Sequence, residues 1–230
     1  MGKAIEEIAL ERKHRIVLAI NDENLEDFNK ENVAKADVAI EFTGPHSAYE
    51  NVKKLLGCNI PVVCGSTGWT EHLPEINDYC KNSGGSFLYA SNFSVGVNIF
   101  FELNKKLAGM MAVYPEYDVS LLEVHHTQKK DAPSGTAITL AEQILGSIHR
   151  KTTWVNREAR ESSELSIISQ RQDPAAGTHH VKYSSVIDDI EIIHTAHNRK
   201  GFALGAVLAA EYVAGKKGIF EMKDVLGINK

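Results

Sequence analysis

The chain has 230 residues, enough for one large domain or two small ones. Its formal net charge of −5 gives no basic footprint for nucleic acid, and no apolar run approaches the ~20 residues of a membrane span. Cys58, Cys64 and Cys80 form no C-x-x-C pair, so the expectation is reduced thiols in a cytoplasmic protein with neither nucleic acid nor membrane as partner.

Residues 4–13 read as a helix with Ile5, Ile8, Ala9 and Leu10 inward. Residues 15–20 form an apolar run that predicts a strand, closed by Asn21-Asp22. Strand-like runs follow at 37–42, 60–64 and 86–90, with helical patterns at 46–56 and 71–82 between them. This alternation of continuous apolar strands with helices predicts a parallel sheet covered by helices. The character changes after residues 91–96. Residues 98–111 predict a helix with Ile99, Phe100, Leu103 and Leu107 toward the core. A strand at 117–124 and a helix at 134–145 come next, the helix with Ala137, Ile138, Ala141, Ile144 and Leu145 on one face. Strands at 165–172, 179–187 and 190–197 are separated by turns at 173–177 and 188–189. They predict an open, mixed or mainly antiparallel sheet with helices on one face. An Ala-rich helix at 202–214 should pack back on the core. The fold class is therefore α/β: a Rossmann-like parallel domain plus a second α+β domain.

Ligands of parallel sheets bind at the carboxyl ends of the strands. Those ends carry Asn21-Asp22, Thr43-Gly44-Pro45, Gly65-Ser66-Thr67-Gly68 and Ala90-Ser91-Asn92-Phe93. An acid after an early strand suits a ribose, and small polar loops let a flat ring approach backbone. A dinucleotide fold opens with a strand and G-x-G-x-x-G, whereas this chain opens Met1-Gly2-Lys3-Ala4-Ile5 straight into a helix. Gly2 fits the last glycine of such a loop. The expectation is that a strand and two glycines precede Met1 in a longer native chain.

The most informative stretch is Glu123-Val124-His125-His126-Thr127-Gln128-Lys129-Lys130-Asp131-Ala132-Pro133-Ser134-Gly135-Thr136-Ala137. Histidines and lysines precede a helix start at Ser134, where free backbone N–H groups and the helix dipole favour a small anion, especially a carboxylate. Adjacent residues of a strand point to opposite faces, so at most one of His125 and His126 faces a given site. A zinc centre would need a third ligand such as His179, His180, His194 or His197, and the lysines would repel the ion, so no metal is expected. His179, His180 and His14 read as surface or packing residues, and residues 173–177 as a simple turn. Ser134 lacks a G-x-S-x-G context and reads as an N-cap.

The string His125-His126-x-x-Lys129-x-Asp131-Ala132-Pro133-Ser134-Gly135-Thr136-Ala137 resembles the signature of the dihydrodipicolinate reductase family. Gly65 to Gly68 is similar to that family's nicotinamide loop, and residues 90–98 to its interdomain hinge. His194-x-Ala196-x-x-Arg199-x-x-Phe202-Ala203 is similar to its return into the first domain. The resemblance covers nearly the whole chain in order. It implies hydride transfer from NADH or NADPH to a cyclic imine dicarboxylate, in lysine and diaminopimelate biosynthesis. His125 would be the general acid and Lys129 a second proton donor and charge partner. His126 would hold substrate, and Ser134, Gly135 and Thr136 would bind a carboxylate at the helix start. Gly65, Ser66, Thr67, Ala90, Ser91, Asn92, Phe93 and Arg199 would line the cofactor, with Gly2 at its phosphates. Asp22, or Asn21 one residue earlier, would contact the adenosine ribose, and this acidic turn leans toward NADH. A homotetramer joined through the second domain's sheet is implied.

The chemistry suits these residues on its own terms. A dicarboxylate with a C=C–C=N system needs cations to bind and a proton to quench the charge left by hydride addition. Residues 1–93 with 200–230 are expected to form the dinucleotide-binding domain, and 94–199 the substrate-binding and oligomerisation domain. Two alternatives stay open: a related reductase of another imine or amino acid, and an inactive dicarboxylate-binding or assembly module without the cofactor loop.

Overall fold

The computed structural model describes residues 1–198 and 200–228. The chain divides into two compact units, Met1–Val95 with Lys200–Lys230, and Gly96–Arg199. In chain order the first unit begins with α1 (Gly2–Glu11), α2 (Lys30–Val33), β1 (Ala39–Glu41), α3 (Ala48–Gly57), β2 (Val62–Cys64), α4 (Leu73–Asn82) and β3 (Ser86–Tyr89). Then come α5 (Val95–Met111), β4 (Asp118–His125), α6 (Gly135–Leu145), β5 (Thr153–Val155), β6 (Glu164–Arg171), β7 (Gly177–Ser184) and β8 (Asp189–Ala196). The chain returns to the first unit with α7 (Lys200–Val213), β9 (Gly218–Phe220) and α8 (Met222–Val225).

The first unit is a parallel sheet in the order β1-β2-β3-β9. Its strands are mostly apolar because both faces are covered, with Glu41 and Ser86 as buried polar exceptions. Val63 and Leu88 pack against α1 and α7 with Ile5, Ile8, Ala206 and Val213. Val62, Cys64 and Phe87 face the other way, against Val52, Leu56 and Ile76 of α3 and α4. Pro74 sits in the first turn of α4, where a missing N–H is harmless.

The second unit is a mixed sheet in the order β5-β6-β4-β7-β8. β4 pairs with β6 in parallel and with β7 antiparallel; β5–β6 is parallel and β7–β8 antiparallel. Along β4 burial alternates with period two, so Val119, Leu121, Glu123 and His125 share the inner face. The apolar core there joins Leu121, Ile167 and Val181 to Leu140 and Ile144 of α6. None of the described helices is long and apolar enough to cross a membrane.

Four details differ from the sequence reading. Residues 15–20 form no strand, because no ladder partner lies beside them; an apolar run becomes a strand only when its backbone is paired. Asp22 therefore follows an unpaired segment and sits in an exposed turn closed by Asn21 and Asn24, Asn21 N–H donating to Asn24 Oδ1 at 2.8 Å. Leu10 faces outward at 55% exposure. Helix α5 starts three residues earlier than expected, and its buried stripe is Val97, Phe100, Asn104, Ala108 and Met111, leaving Ile99 and Leu103 exposed. The stripe includes Asn104, whose Nδ2 donates to Leu140 O at 3.1 Å and Gln143 Oε1 at 2.9 Å, a polar anchor invisible to an apolar count. The short strands β5 and β9 were not anticipated.

Candidate active site

Register explains how the second unit assembles its polar cluster. Across the inner face, Leu121 pairs with Ile167 and Val181. Two residues further on, Glu123 pairs with Ser169 and His179, and His179 with His194. The last step pairs His125 with Arg171. The core thus turns from apolar to polar toward the carboxyl end of β4, beside the start of α6.

Glu123 is fully enclosed. Both carboxylate oxygens accept the backbone N–H of Ser134 at 3.1 Å, and Oε1 lies 3.4 Å from Arg171 Nη2. Oε2 lies 3.5 Å from His125 Nδ1 and 3.9 Å from His179 Nε2. Burial works against ionisation, but hydrogen bonds from Ser134 and Ser169 and the charge of His125 hold this carboxyl below its usual range. His125 and His179 meet edge to face, with centroids 5.1 Å apart. Burial pushes His125 down, with Lys129 and Arg171 adding to the effect and Glu123 opposing it. Burial and then His125 push His179 down to about 3, so its imidazole is neutral.

Ser134 is the N-cap of α6: its Oγ accepts Ala137 N–H at 3.2 Å and stands 3.2 Å from His179 Nε2. Gly135 and Thr136 open the helix; Gly135 is exposed, so the backbone there meets solvent without side-chain cover. His126 begins the turn after β4 and is half-buried. Lys129 Nζ donates to both oxygens of Asp131 at 2.8 Å. Arg171 braces this loop through Lys129 O at 3.3 Å and Asp131 O at 2.5 Å. Thr127 donates to Asp173 through its N–H at 3.2 Å and its hydroxyl at 2.6 Å. Residues 173–177 are therefore more than a turn, since Asp173 ties the loop down and Gly177 borders His125. The structure brings His125, Ser134 and the 126–133 loop together, and adds Glu123, Arg171, His179 and Gly177. His179 is a buried member of the cluster.

Among the described residues, Glu123, His125 and His179 are the group whose ligand atoms lie close enough for a metal, within 4.8 Å of one another. Their chemistry fits poorly. The carboxylate is already engaged by Ser134 and Arg171, and the Arg171 and Lys129 charges oppose a cation.

In the first unit, the carboxyl ends of the strands gather the other expected residues. Gly65 N–H donates to Glu41 O at 2.9 Å and Ala90 N–H to Cys64 O at 3.2 Å, continuing the ladder into both loops. Ser66 is buried and its Oγ has no hydrogen-bond partner, whereas Thr67 and Ser91 are exposed. Asn92 Oδ1 accepts Ser94 N–H at 2.9 Å, and Phe93 is buried against Ala203 and Ala206. An orphaned hydroxyl beside exposed loop backbone fits a flat amide-bearing ring such as nicotinamide. Gly2 opens α1 with no side-chain cap at Met1. Arg199 lies outside the described residues.

Models of the two halves of dihydrodipicolinate reductase match this chain, the N-terminal one over residues 1–93 and the C-terminal one over 96–226. A 4-hydroxy-tetrahydrodipicolinate reductase of Christiangramia forsetii is 50% identical over 230 residues, covering 98% of this chain and 93% of that protein. One from Methanoregula boonei is 38% identical, covering 85% of this chain and 77% of that protein. The solved dipicolinate-bound dihydrodipicolinate reductase of Paenisporosarcina sp. TG-14 shares the fold, with TM-score 0.76 and 23% identity over 96% of this chain and 92% of that one. With both halves matched in order, the chain belongs to the dihydrodipicolinate reductase family, the pyridine-nucleotide-dependent oxidoreductases of lysine biosynthesis.

Proposed function

We propose that the chain reduces 4-hydroxy-tetrahydrodipicolinate, which loses water to give the conjugated dihydrodipicolinate of the family's older name, to tetrahydrodipicolinate, with His125 as proton donor. The carrying observation is the enclosed His125 beside Glu123, next to the capped start of α6. A bound nicotinamide supplies the hydride. His125 delivers the proton that quenches the negative charge left on the substrate ring. Lys129 stabilises that charge and the Ser134, Gly135 and Thr136 helix start takes a substrate carboxylate. His126 holds the substrate from the turn.

In the first unit, Gly65, Ser66, Thr67 and residues 90–93 line the nicotinamide side, and Gly2 opens toward the phosphates. The acidic turn Asp22-Glu23 repels a second ribose phosphate, which favours NADH over NADPH. The first unit acts as the dinucleotide-binding domain and the second as the substrate and assembly domain. A homotetramer forms through the outer face of the mixed sheet, where Ile168, Leu122, His180 and Ile193 form one cross-strand row with Ile193 57% exposed. The free thiols Cys58, Cys64 and Cys80 support a cytoplasmic location.

The test is nicotinamide oxidation with freshly generated substrate, for the native chain and His125→Gln. Turnover should fall about 10²- to 10⁴-fold with cofactor binding retained. Near-normal turnover in the variant would remove His125 as the acid.

A further inference from the structure

We propose that Glu123 is a positioning residue for the reaction: its carboxylate accepts the Nδ1–H of His125, so that Nε2 presents the proton. The same carboxylate holds Ser134 N–H, coupling the proton donor to the turn that takes the substrate carboxylate. The inference rests on His125 being the proton donor.

Geometry carries it. Glu123 and His125 are two apart on β4 and share its inner face. His125 Nδ1 is enclosed and makes no hydrogen bond in this structure, and the carboxylate oxygen Oε2 of Glu123 stands 3.5 Å away. That separation is slightly long for a hydrogen bond, as catalytic contacts often are before substrate binds. The far side of the ring, Nε2, borders Gly177, where no side chain intervenes. A carboxylate this deeply enclosed is costly unless it is bonded, and Ser134 N–H and Arg171 provide the bonding that keeps it charged. The charged and titratable groups facing His125 are Glu123 on its own strand, Arg171 on β6, His179 on β7, and Lys129 and Asp131 in the following loop. His194 on β8 lies behind His179. Glu123 is the anion in direct reach of the ring, the arrangement by which a buried acid fixes one histidine tautomer and stabilises the imidazolium.

The experiment measures kcat, KM and their pH profiles for the native chain, Glu123→Gln, His125→Gln and the double variant. Glu123→Gln keeps an oxygen for Ser134 N–H but loses the charge. It should lower kcat roughly 10- to 100-fold with KM nearly unchanged. Losing the anion weakens proton affinity at His125, so the limb where activity falls with rising pH should move to lower pH. The double variant should be no slower than His125→Gln. A limb that stays in place, or losses that multiply in the double variant, would overturn the positioning role. Near-normal turnover of His125→Gln is a different result, since it removes the proton donor itself. A second measurement needs no variant: nitrogen NMR of the native chain should show neutral His125 with its proton on Nδ1. The opposite tautomer would overturn the proposal.

Discussion

At the carboxyl ends of β1, β2 and β3 the first unit offers loop backbone, a buried carboxylate, Glu41, already bonded to Thr43 N–H and the Cys64 thiol, and one buried hydroxyl without a partner, that of Ser66. At the carboxyl end of β4 the second unit buries a carboxylate and two imidazoles within 4.8 Å of one another. The contrast fits the proposed division of labour between the two units. A ring that carries its own reactive electrons needs shape and a few hydrogen bonds, whereas proton delivery needs side chains whose charge is set by burial and neighbours. Substitutions should therefore separate cleanly: those in the second unit act on turnover, those in the first on cofactor affinity.

Beyond His125 itself, the largest departure is expected at Gly177. Its φ of +154° lies outside the range side chains readily adopt, and an added Cβ would come within 3.2 Å of His125 Nε2. Gly177→Ala should lower kcat up to about 100-fold by displacing the ring, with nicotinamide binding unmoved. A parallel loss of cofactor affinity would break the separation. Acid should next distinguish the second unit. His179 stays neutral to about 3 when folded, whereas an unfolded histidine takes a proton near ~6.5. Below about 6.5 the unfolded chain binds more protons, so the stability present above that pH is lost progressively as pH falls toward 3. His179→Gln should flatten this dependence in melting curves; an unchanged slope would contradict it.

A smaller effect is expected at Ser66. Ser66→Ala should raise the KM for the nicotinamide cofactor roughly 2- to 10-fold while the melting temperature holds or rises, because an unpaired buried hydroxyl is removed. Unchanged cofactor KM would mean the hydroxyl is not a ligand. Smallest is the surface pair that ties α1 to α7. Glu211 accepts Arg12 at 2.7 Å through both oxygens and is held at about 2, chiefly by that bond. Because the pair is largely solvated, Glu211→Gln should cost only about 0.5 kcal/mol. That contribution is present above the usual carboxylate range and disappears as pH falls toward 2, which chemical denaturation at two pH values would detect.

The helix start at Ser134, the inward alternation along β4 and the small polar loops after β2 and β3 were legible from local pattern alone. Glu123, Arg171 and His179 were not. They come from three strands 48 to 56 positions apart, counted from 123 to 171 and 123 to 179, and only the register of β4 with β6 and β7 brings them together. A histidine at an inward strand position carries no local sign distinguishing it from packing. Residues 15–20 failed for the converse reason: their composition suits a strand, but pairing is a property of the neighbour. In α5 the buried side combines Val97, Phe100, Ala108 and Met111 with an amide, Asn104, bonded to Leu140 and Gln143, and a count of apolar spacing alone passes over that polar member.

Gly205 on α7 has no functional group, yet a Cβ built there would fall 1.7 Å from the carbonyl oxygen of Phe93. The helix and the loop after β3 touch backbone to backbone at that point, leaving no flexible side chain to yield. Counted by how many of the twenty amino acids a position can accept, Gly205 should be as narrow as His125. A saturation library would lose almost every variant at both positions, one for want of a proton and the other for want of room.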